Sequence, residues 1–395
     1  MQFFRKFAVT VVALAGTAPH AFALEEYHTT PGSRAMAMAG AFSAYAADSS
    51  SIWYNPAGLG FQSSGSSDFT IEYGDTLIAR EELKDNGDGT VDIYDTSKEL
   101  KYIGFSTHGV GIAYFRPYEF SSYSYSPDTD ETARVVTTYQ ELKFGFGFKL
   151  SDSLALGTTL DMISREGELT DSDCSGFSCA DDEDLSSISL GLTLGALFKT
   201  RLIEETMTDL HLSAVYRSGA LGDSSSDYAI NEFEDLPTRP TTKSLGAALR
   251  GPLTFIDAGE WAFFATLTAQ HDINEYEKVI LLGTNESLET EFTKTAFGLE
   301  LQAVTPTNMS LFFRAGVSDT DSDGDKVNLS PAFPEFRPYT EGIKSTTFGV
   351  GIVFGDNNQF VLDYGVEKRK ILASDFTDVD DEEETLSSLS FSMLL

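Results

Sequence analysis

The sequence predicts an all-β fold, a 14-stranded antiparallel transmembrane β-barrel. Three observations predict it. Apolar and polar residues alternate with period two through most of the chain, the connections alternate between short and long, and the last residues form an alternating strand. The 395 residues are enough for one wide barrel, and their net charge of −34 argues against a nucleic-acid partner, whose phosphates would be repelled. Aromatic residues make up 12% of the chain, more than acidic disordered proteins carry, so the charge does not signal disorder.

The N-terminus reads as a secretory signal. Arg5 and Lys6 supply the positive end, Phe7–Ala18 a short apolar run, and Ala21–Ala23 a small-x-small cleavage site. Cleavage after Ala23 is expected, with residues 1–23 as signal peptide. No later stretch reaches the roughly 18–20 apolar residues that a membrane helix needs. The mature chain is therefore a soluble exported protein or a membrane β-barrel.

The strand-like segments carry the next step. Leu142, Phe144, Phe146 and Phe148 share one face of "LKFGFGFKL", with Lys143, Gly145, Gly147 and Lys149 on the other. Ile188, Leu190, Leu192 and Leu194 stand against Ser189, Gly191 and Thr193. Phe297, Leu299 and Leu301 oppose Glu300 and Gln302, and the segments 346–354 and 360–368 repeat the pattern. A soluble sandwich and a membrane barrel both produce such alternation. Connection lengths separate them. Tight links such as "THG", "LSDS", "TPTN" and "GDNNQ" alternate with links of roughly 15–25 residues, beyond the usual range in compact domains. Short turns at one end and long loops at the other belong to barrels of the outer-membrane type. The long links also hold much of the acid, as in Arg80–Asp95, Cys179–Leu185, Asp319–Asp325 and Asp375–Glu384, which predicts an acidic rim on one side. The closing strand has Leu389, Phe391, Met393 and Leu395 on its apolar face; the terminal Leu395 stands where such strands usually end in an aromatic residue.

About 40 residues between the signal and the first strand lack alternation. They contain Gly32 and Arg34, the small-residue run Ala35–Ala47, Asp48, and then Asn55-Pro56-Ala57. On these residues the segment resembles the N-terminal region of FadL/TodX-type outer-membrane transporters for hydrophobic compounds. The resemblance is closest over about 30 residues, and the 14-strand layout extends it loosely over the mature chain. It implies that residues 24–65 fold as a hatch inside a barrel of residues 66–395, with the Asn-Pro-Ala motif near an opening in the wall. It also implies passive uptake of hydrophobic molecules, long-chain fatty acids first, in the outer membrane of a Gram-negative cell. The rival is a non-transporting barrel serving as a structural or secretion-associated scaffold. The residues themselves fit a tight turn in a confined space: Asn55 can satisfy backbone groups, and Pro56 stiffens the chain.

The resemblance further implies a gap where the third strand kinks. The third candidate strand, Gly109–Tyr125, is interrupted by Pro117, which lacks the N–H a ladder needs, so the opening is expected there. Alternation predicts that Asp161, Arg217, Glu300, Arg314, Asp363 and Glu367 point inward, because charges facing lipid are costly. These charges are expected to pair across the lumen and anchor the hatch, with Arg217 or Arg314 as the alternative partner of a ligand carboxylate. Cys174 and Cys179 close a short loop and read as a disulfide in an exported protein. Asp319, Asp321 and Asp323, with Gly324, begin like a calcium loop, but Ser330 stands where the bidentate Glu belongs, so this is a weak candidate. Acidic loops of this kind would bridge lipopolysaccharide phosphates through divalent cations. His28, His108, His211 and His271 are scattered, no catalytic motif appears, and the chain is expected to work as a non-enzymatic monomer without a cofactor.

Overall fold

The computed structural model describes residues 30–62, 66–81, 94–116, 119–126, 131–171, 183–219, 221–225, 239–254, 259–280, 287–307, 309–324, 340–355, 359–373 and 382–395. The signal region, Pro117, Cys174 and Cys179 lie outside these residues.

Fourteen strands close into one barrel. They are β1 (Ser67–Glu81), β2 (Tyr94–Thr107), β3 (Val110–Phe115, resumed as Glu119–Ser126), β4 (Glu131–Lys149), β5 (Leu154–Asp171), β6 (Glu183–Ile203) and β7 (Thr208–Arg217, resumed as Leu221–Ser225). They continue as β8 (Thr241–Pro252), β9 (Ala262–Ile280), β10 (Ser287–Val304), β11 (Ser310–Gly324), β12 (Thr340–Phe354), β13 (Phe360–Ala373) and β14 (Glu382–Leu394). Each strand pairs antiparallel with the next, and β1 pairs with β14 from Asp68↔Leu394 to Gly74↔Ser388, which closes the ring. Closure pairs the first strand with the last, so neither is left as a free sheet edge where they meet.

Alternation decides what each face meets. Phe297 and Val317 lie opposite one another on β10 and β11 and point out, 54% and 51% exposed. Glu300 and Arg314, also directly opposite, point in and are buried. Phe144, Phe146 and Phe148 of β4, Ile188, Leu190, Leu192 and Leu194 of β6, and Phe348 and Val350 of β12 extend the outward apolar surface around the barrel. An apolar exterior with a charged interior suits a lipid surround and makes this a membrane-spanning barrel. Among the described residues no helix is long and apolar enough to cross a membrane. At the tight turn Leu150–Ser153, Lys149 donates to Asp152 at 2.7 Å and holds that carboxyl below the usual range.

One sequence expectation needs correction. Asp319–Gly324 is not a loop: it continues β11, paired with β10 from Thr295↔Asp319 to Thr290↔Gly324. An extended strand sends Asp319 and Asp321 to one face in a row, whereas a calcium loop must curl to converge its oxygens. Asp319 and Asp321 are exposed, just above the outward apolar residues Phe313 and Val317. The strand runs on past the membrane because the ladder satisfies its backbone while water solvates the carboxylates. Within Gly109–Tyr125 the strand is described as two pieces, Val110–Phe115 and Glu119–Ser126, on either side of Pro117, which lies outside the described residues. Its ladder with β4 slips by one residue, from Phe115↔Glu141 to Glu119↔Thr138.

The β2 side of this interruption differs from the rest of the wall. The β2–β3 ladder runs from Thr107↔Val110 to Tyr102↔Phe115 and ends with Arg116 N–H donating to the Lys101 carbonyl at 2.9 Å. Higher up, the second half of β3 pairs in parallel with β1, from Ile78↔Glu119 to Glu81↔Ser122. Lys101 is the extra residue of a β-bulge opposite Glu72 and Tyr73, so Lys101 and Tyr102 are consecutive and both buried.

The N-terminal segment within the barrel

Residues 30–62 have little regular structure: two single-turn helices, α1 (Ser33–Met36) and α2 (Ser51–Tyr54), and a 3-10 turn over Pro56–Phe61. Their partners lie on strands around the whole ring, so the segment occupies the lumen. Gly32 N–H donates to Glu72 of β1 at 2.5 Å, and Ser49 N–H donates to Asp68 at 2.8 Å. The Gln270 side-chain oxygen of β9 accepts from the N–H groups of Phe42 and Ser43 at 3.1 and 2.9 Å. Thr347 of β12 donates to the Ala37 carbonyl at 3.0 Å, and Ser33 meets Ser388 of β14 at 2.8 Å.

The small-residue run fits because the wall beneath it is also small. Gly147, Gly157 and Gly195 form a row across β4, β5 and β6, each directly opposite the next. The Asn55–Gly60 turn lies on this row. A Cβ on Gly147 would strike the Pro56 carbonyl and Gly60 N, one on Gly157 the backbone joining Pro56 to Ala57, and one on Gly195 the Asn55 side chain. Across the barrel, Gly298 and Gly316 are paired on β10 and β11 and carry Met38 and Ala39. Gly349 and Gly365, paired on β12 and β13, carry Ala37 and the Ser33 carbonyl. The segment is keyed into the wall on both sides at backbone distance.

Asn55 fixes the turn chemically. It is fully buried. Its Oδ1 accepts from Ala57 N–H at 3.1 Å and caps the 3-10 turn, which Pro56 opens. Its Nδ2 donates to the Ser43 carbonyl at 3.2 Å and the Ala196 carbonyl of β6 at 3.1 Å. One side chain thereby ties the turn to itself, to the small-residue run and to the wall.

Three groups stand out among the inward charges of the described residues. Arg34 forks onto Glu300 with two contacts of 3.0 Å, Arg314 reaches the same carboxylate at 2.7 Å and Asp363 at 2.6 Å, and Tyr45 donates to Glu300 at 3.0 Å. Asp48 lies 4.0 Å from Arg34. In the second group Lys143 bridges Glu141 and Asp161 at 2.8 and 2.9 Å, and Arg239 joins the same two carboxylates at 3.2 and 2.8 Å. Arg217 donates to the Trp53 carbonyl at 2.7 Å, and its guanidinium lies 4.3 Å from the Trp53 ring centre, with Lys143 at 4.7 Å. Glu367 pairs with Arg369 at 3.0 Å in the third. Thus Asp161, Arg217, Glu300, Arg314, Asp363 and Glu367 are all buried and inward, and Arg34 connects Glu300 to the segment.

Beside these charges lies an apolar cluster: Met38, Phe42, Ile52, Trp53, Tyr54 and Leu59 of the segment against Tyr102, Ala113 and Phe115 of the wall. Trp53 meets Phe115 with ring centres 4.3 Å apart, so the cluster ends where the β2–β3 ladder ends.

Sequence reasoning singled out none of Glu72, Lys101, Glu141, Lys143 or Arg239 as site residues. Glu141 and Lys143 were findable, since they alternate with the outward Leu142 and Phe144. Lys101 was not, because the bulge breaks the alternation, and Arg239 precedes β8 with no period to place it.

No protein-family model and no curated protein matches the sequence. Solved structures do match in fold. A Pseudomonas aeruginosa FadL homologue aligns with a TM-score of 0.52 at 13% identity, over 93% of this chain and 98% of that one. The TodX deltaS2S3 mutant, a monoaromatic hydrocarbon channel, aligns with a TM-score of 0.52 at 13% identity, over 92% and 98%.

Proposed function

We propose that this barrel, which has the FadL/TodX-type fold, is an outer-membrane channel for passive uptake of hydrophobic small molecules, with long-chain fatty acids as its first candidate cargo. The observation that carries the reading is the apolar cluster of the luminal segment ending at the discontinuity in the wall, at Phe115. An apolar molecule could remain among apolar side chains from the lumen to the lipid. Segment 30–62 acts as the hatch. The glycine rows lock its two flanks, which blocks an axial route and favours a sideways one. Ligand adsorbs among the outer loops, enters the lumen above the hatch, and leaves through the wall beside Phe115. Binding strength would come from burying the chain, about 0.8 kcal/mol per CH₂. The role is transport without chemistry, by a monomer whose acidic rim faces lipopolysaccharide.

The test is uptake of labelled oleate and labelled toluene by cells that lack their own hydrophobic-compound channels and express this chain, with Asn55→Ala and Pro56→Ala alongside. Uptake by the wild type that changes in the variants supports the reading. Neither compound entering, from a folded barrel at the cell surface, leaves the scaffold role.

A further inference from the structure

Two exposed lysines near the long-link end of the outer wall have carboxylate partners: Lys98 of β2 meets Asp75 of β1 at 3.5 Å, and Lys243 of β8 meets Glu275 of β9 at 2.5 Å. Strands β12 and β13 break this pattern. Lys344 lies directly opposite Lys370, and Thr346 opposite Lys368. All three lysines are exposed, and among the described residues neither Lys344 nor Lys368 forms an ion pair or a hydrogen bond. Like charges directly opposite one another destabilise a strand pair. In a chain with 27 Lys and Arg against 61 Asp and Glu, an acidic residue at one of these places would be the simple remedy. Asp319 of β11 stands opposite Lys344, and Glu383 of β14 opposite Lys370, so the positive patch is two strands wide. Lys368 lies between Thr346 and Thr385, with no charge opposite it on either strand. The patch sits at the boundary of the apolar surface. Val366, two residues before Lys368 on the same face, pairs with Phe348, and Tyr364 pairs with Val350. Both strands meet this end through the long links 325–339 and 374–381, the outer end of such a barrel.

We infer that Lys344, Lys368 and Lys370 hold one phosphate of the lipid around the barrel, a phosphomonoester of lipopolysaccharide in the outer leaflet. A phosphate between Lys344 and Lys370 replaces their repulsion with two charge-assisted contacts. Lys368 is the diagonal neighbour of Lys344, about 7–8 Å away, and its flexible four-carbon stem reaches the same group. Adjacent strands are about 4.8 Å apart, so a patch of this width takes one phosphate rather than a broad anionic surface. The acyl chains of that lipid then lie along Phe348, Val350 and Tyr364. Carboxylates of the acidic rim can reach a phosphate only through a divalent cation, whereas these lysines need none. The site is outside the wall and independent of what the lumen carries.

The experiment measures binding of lipopolysaccharide to the full chain, purified in detergent with a chelator of divalent cations present. Wild type is compared with Lys344→Gln, Lys368→Gln, the double variant, and Lys243→Gln as a control. Each lipid is used intact and after enzymatic removal of its phosphates, and vesicles of phosphatidylglycerol supply a phosphodiester. The expected result is about fivefold weaker binding of intact lipid in either single variant, about 25-fold in the double variant, and no change in Lys243→Gln. Removing the phosphates should weaken wild-type binding and erase the differences among the proteins, and added salt should do the same in part. Equal binding by wild type and the double variant overturns the inference, as does wild-type binding that the chelator abolishes. Phosphatidylglycerol bound as tightly as lipopolysaccharide overturns the assignment to a phosphomonoester. If the double variant does not fold, the two forms of the lipid on the wild type decide alone: equal affinity overturns the site.

Discussion

Replacing Asn55 with Ala tests whether the Asn55–Gly60 turn is held by one side chain or by the fit of its backbone. The substitution removes three hydrogen bonds within a fully buried turn. Ala57 N–H loses its acceptor outright, and an orphaned buried donor costs about 1–3 kcal/mol. Loss of an Asn cap costs about 0.5–2 kcal/mol by itself, and that range already contains part of the same bond. The Ser43 and Ala196 carbonyls lose a donor but keep a second lone pair, so their share is smaller. The combined effect is about 2–4 kcal/mol, which raises the unseated fraction of the turn about 30- to 700-fold. Native-state hydrogen exchange on the barrel in detergent reads this directly, through the amides of Ala57, Gly58 and Gln62. The expected result is accelerated exchange at those three amides, with the β10–β11 ladder around Val317 unchanged. Wild-type protection at Ala57 in a folded variant would refute the reasoning and assign the seating to the glycine row alone.

The remaining predictions probe other links. Gly157→Val should displace the Pro56–Ala57 backbone, cost about 1–3 kcal/mol by overpacking, and accelerate exchange over the same turn without touching a hydrogen-bonding side chain. Glu300→Gln leaves Arg34 with the 4.0 Å Asp48 contact alone among the described residues, and Arg314 with Asp363. Urea unfolding should show a loss of about 3–5 kcal/mol, with no loss meaning that the network contributes nothing net. Phe297→Arg places a charge in the outward apolar surface and should lower stability in lipid by about 2–4 kcal/mol, whereas Asp321→Arg, above that surface, should change it little.

Much of the wall was legible in the sequence because β-structure obeys a local rule. Successive residues point to opposite faces, so Phe297 against Glu300 and Ile188 against Ser189 declare outside and inside without knowledge of the fold. The same rule sent Asp161, Arg217, Glu300, Arg314, Asp363 and Glu367 inward, where they lie. It failed where the rule is suspended. The bulge at Lys101 turns two neighbours to one face, and Arg239 lies outside any strand. The acidic run Asp319–Gly324 misled for the opposite reason: its composition reads as loop, but pairing with β10 holds it extended.

The sequence by itself determined the strands, their faces and an irregular N-terminal segment rich in small residues, since each follows from periods of two or from the absence of a period. Tertiary structure decided which carboxylate meets which cation, that Arg34 shares Glu300 with Arg314, and that glycines from three adjacent strands form one seat for Asn55–Gly60. These pairings depend on register and closure, which bring together residues up to hundreds of positions apart. Ser33 and Ser388 touch only because β1 finds β14. The physical reason is the range of the interactions: alternation is fixed between adjacent residues, whereas an ion pair or a close backbone contact exists only after the ring has closed.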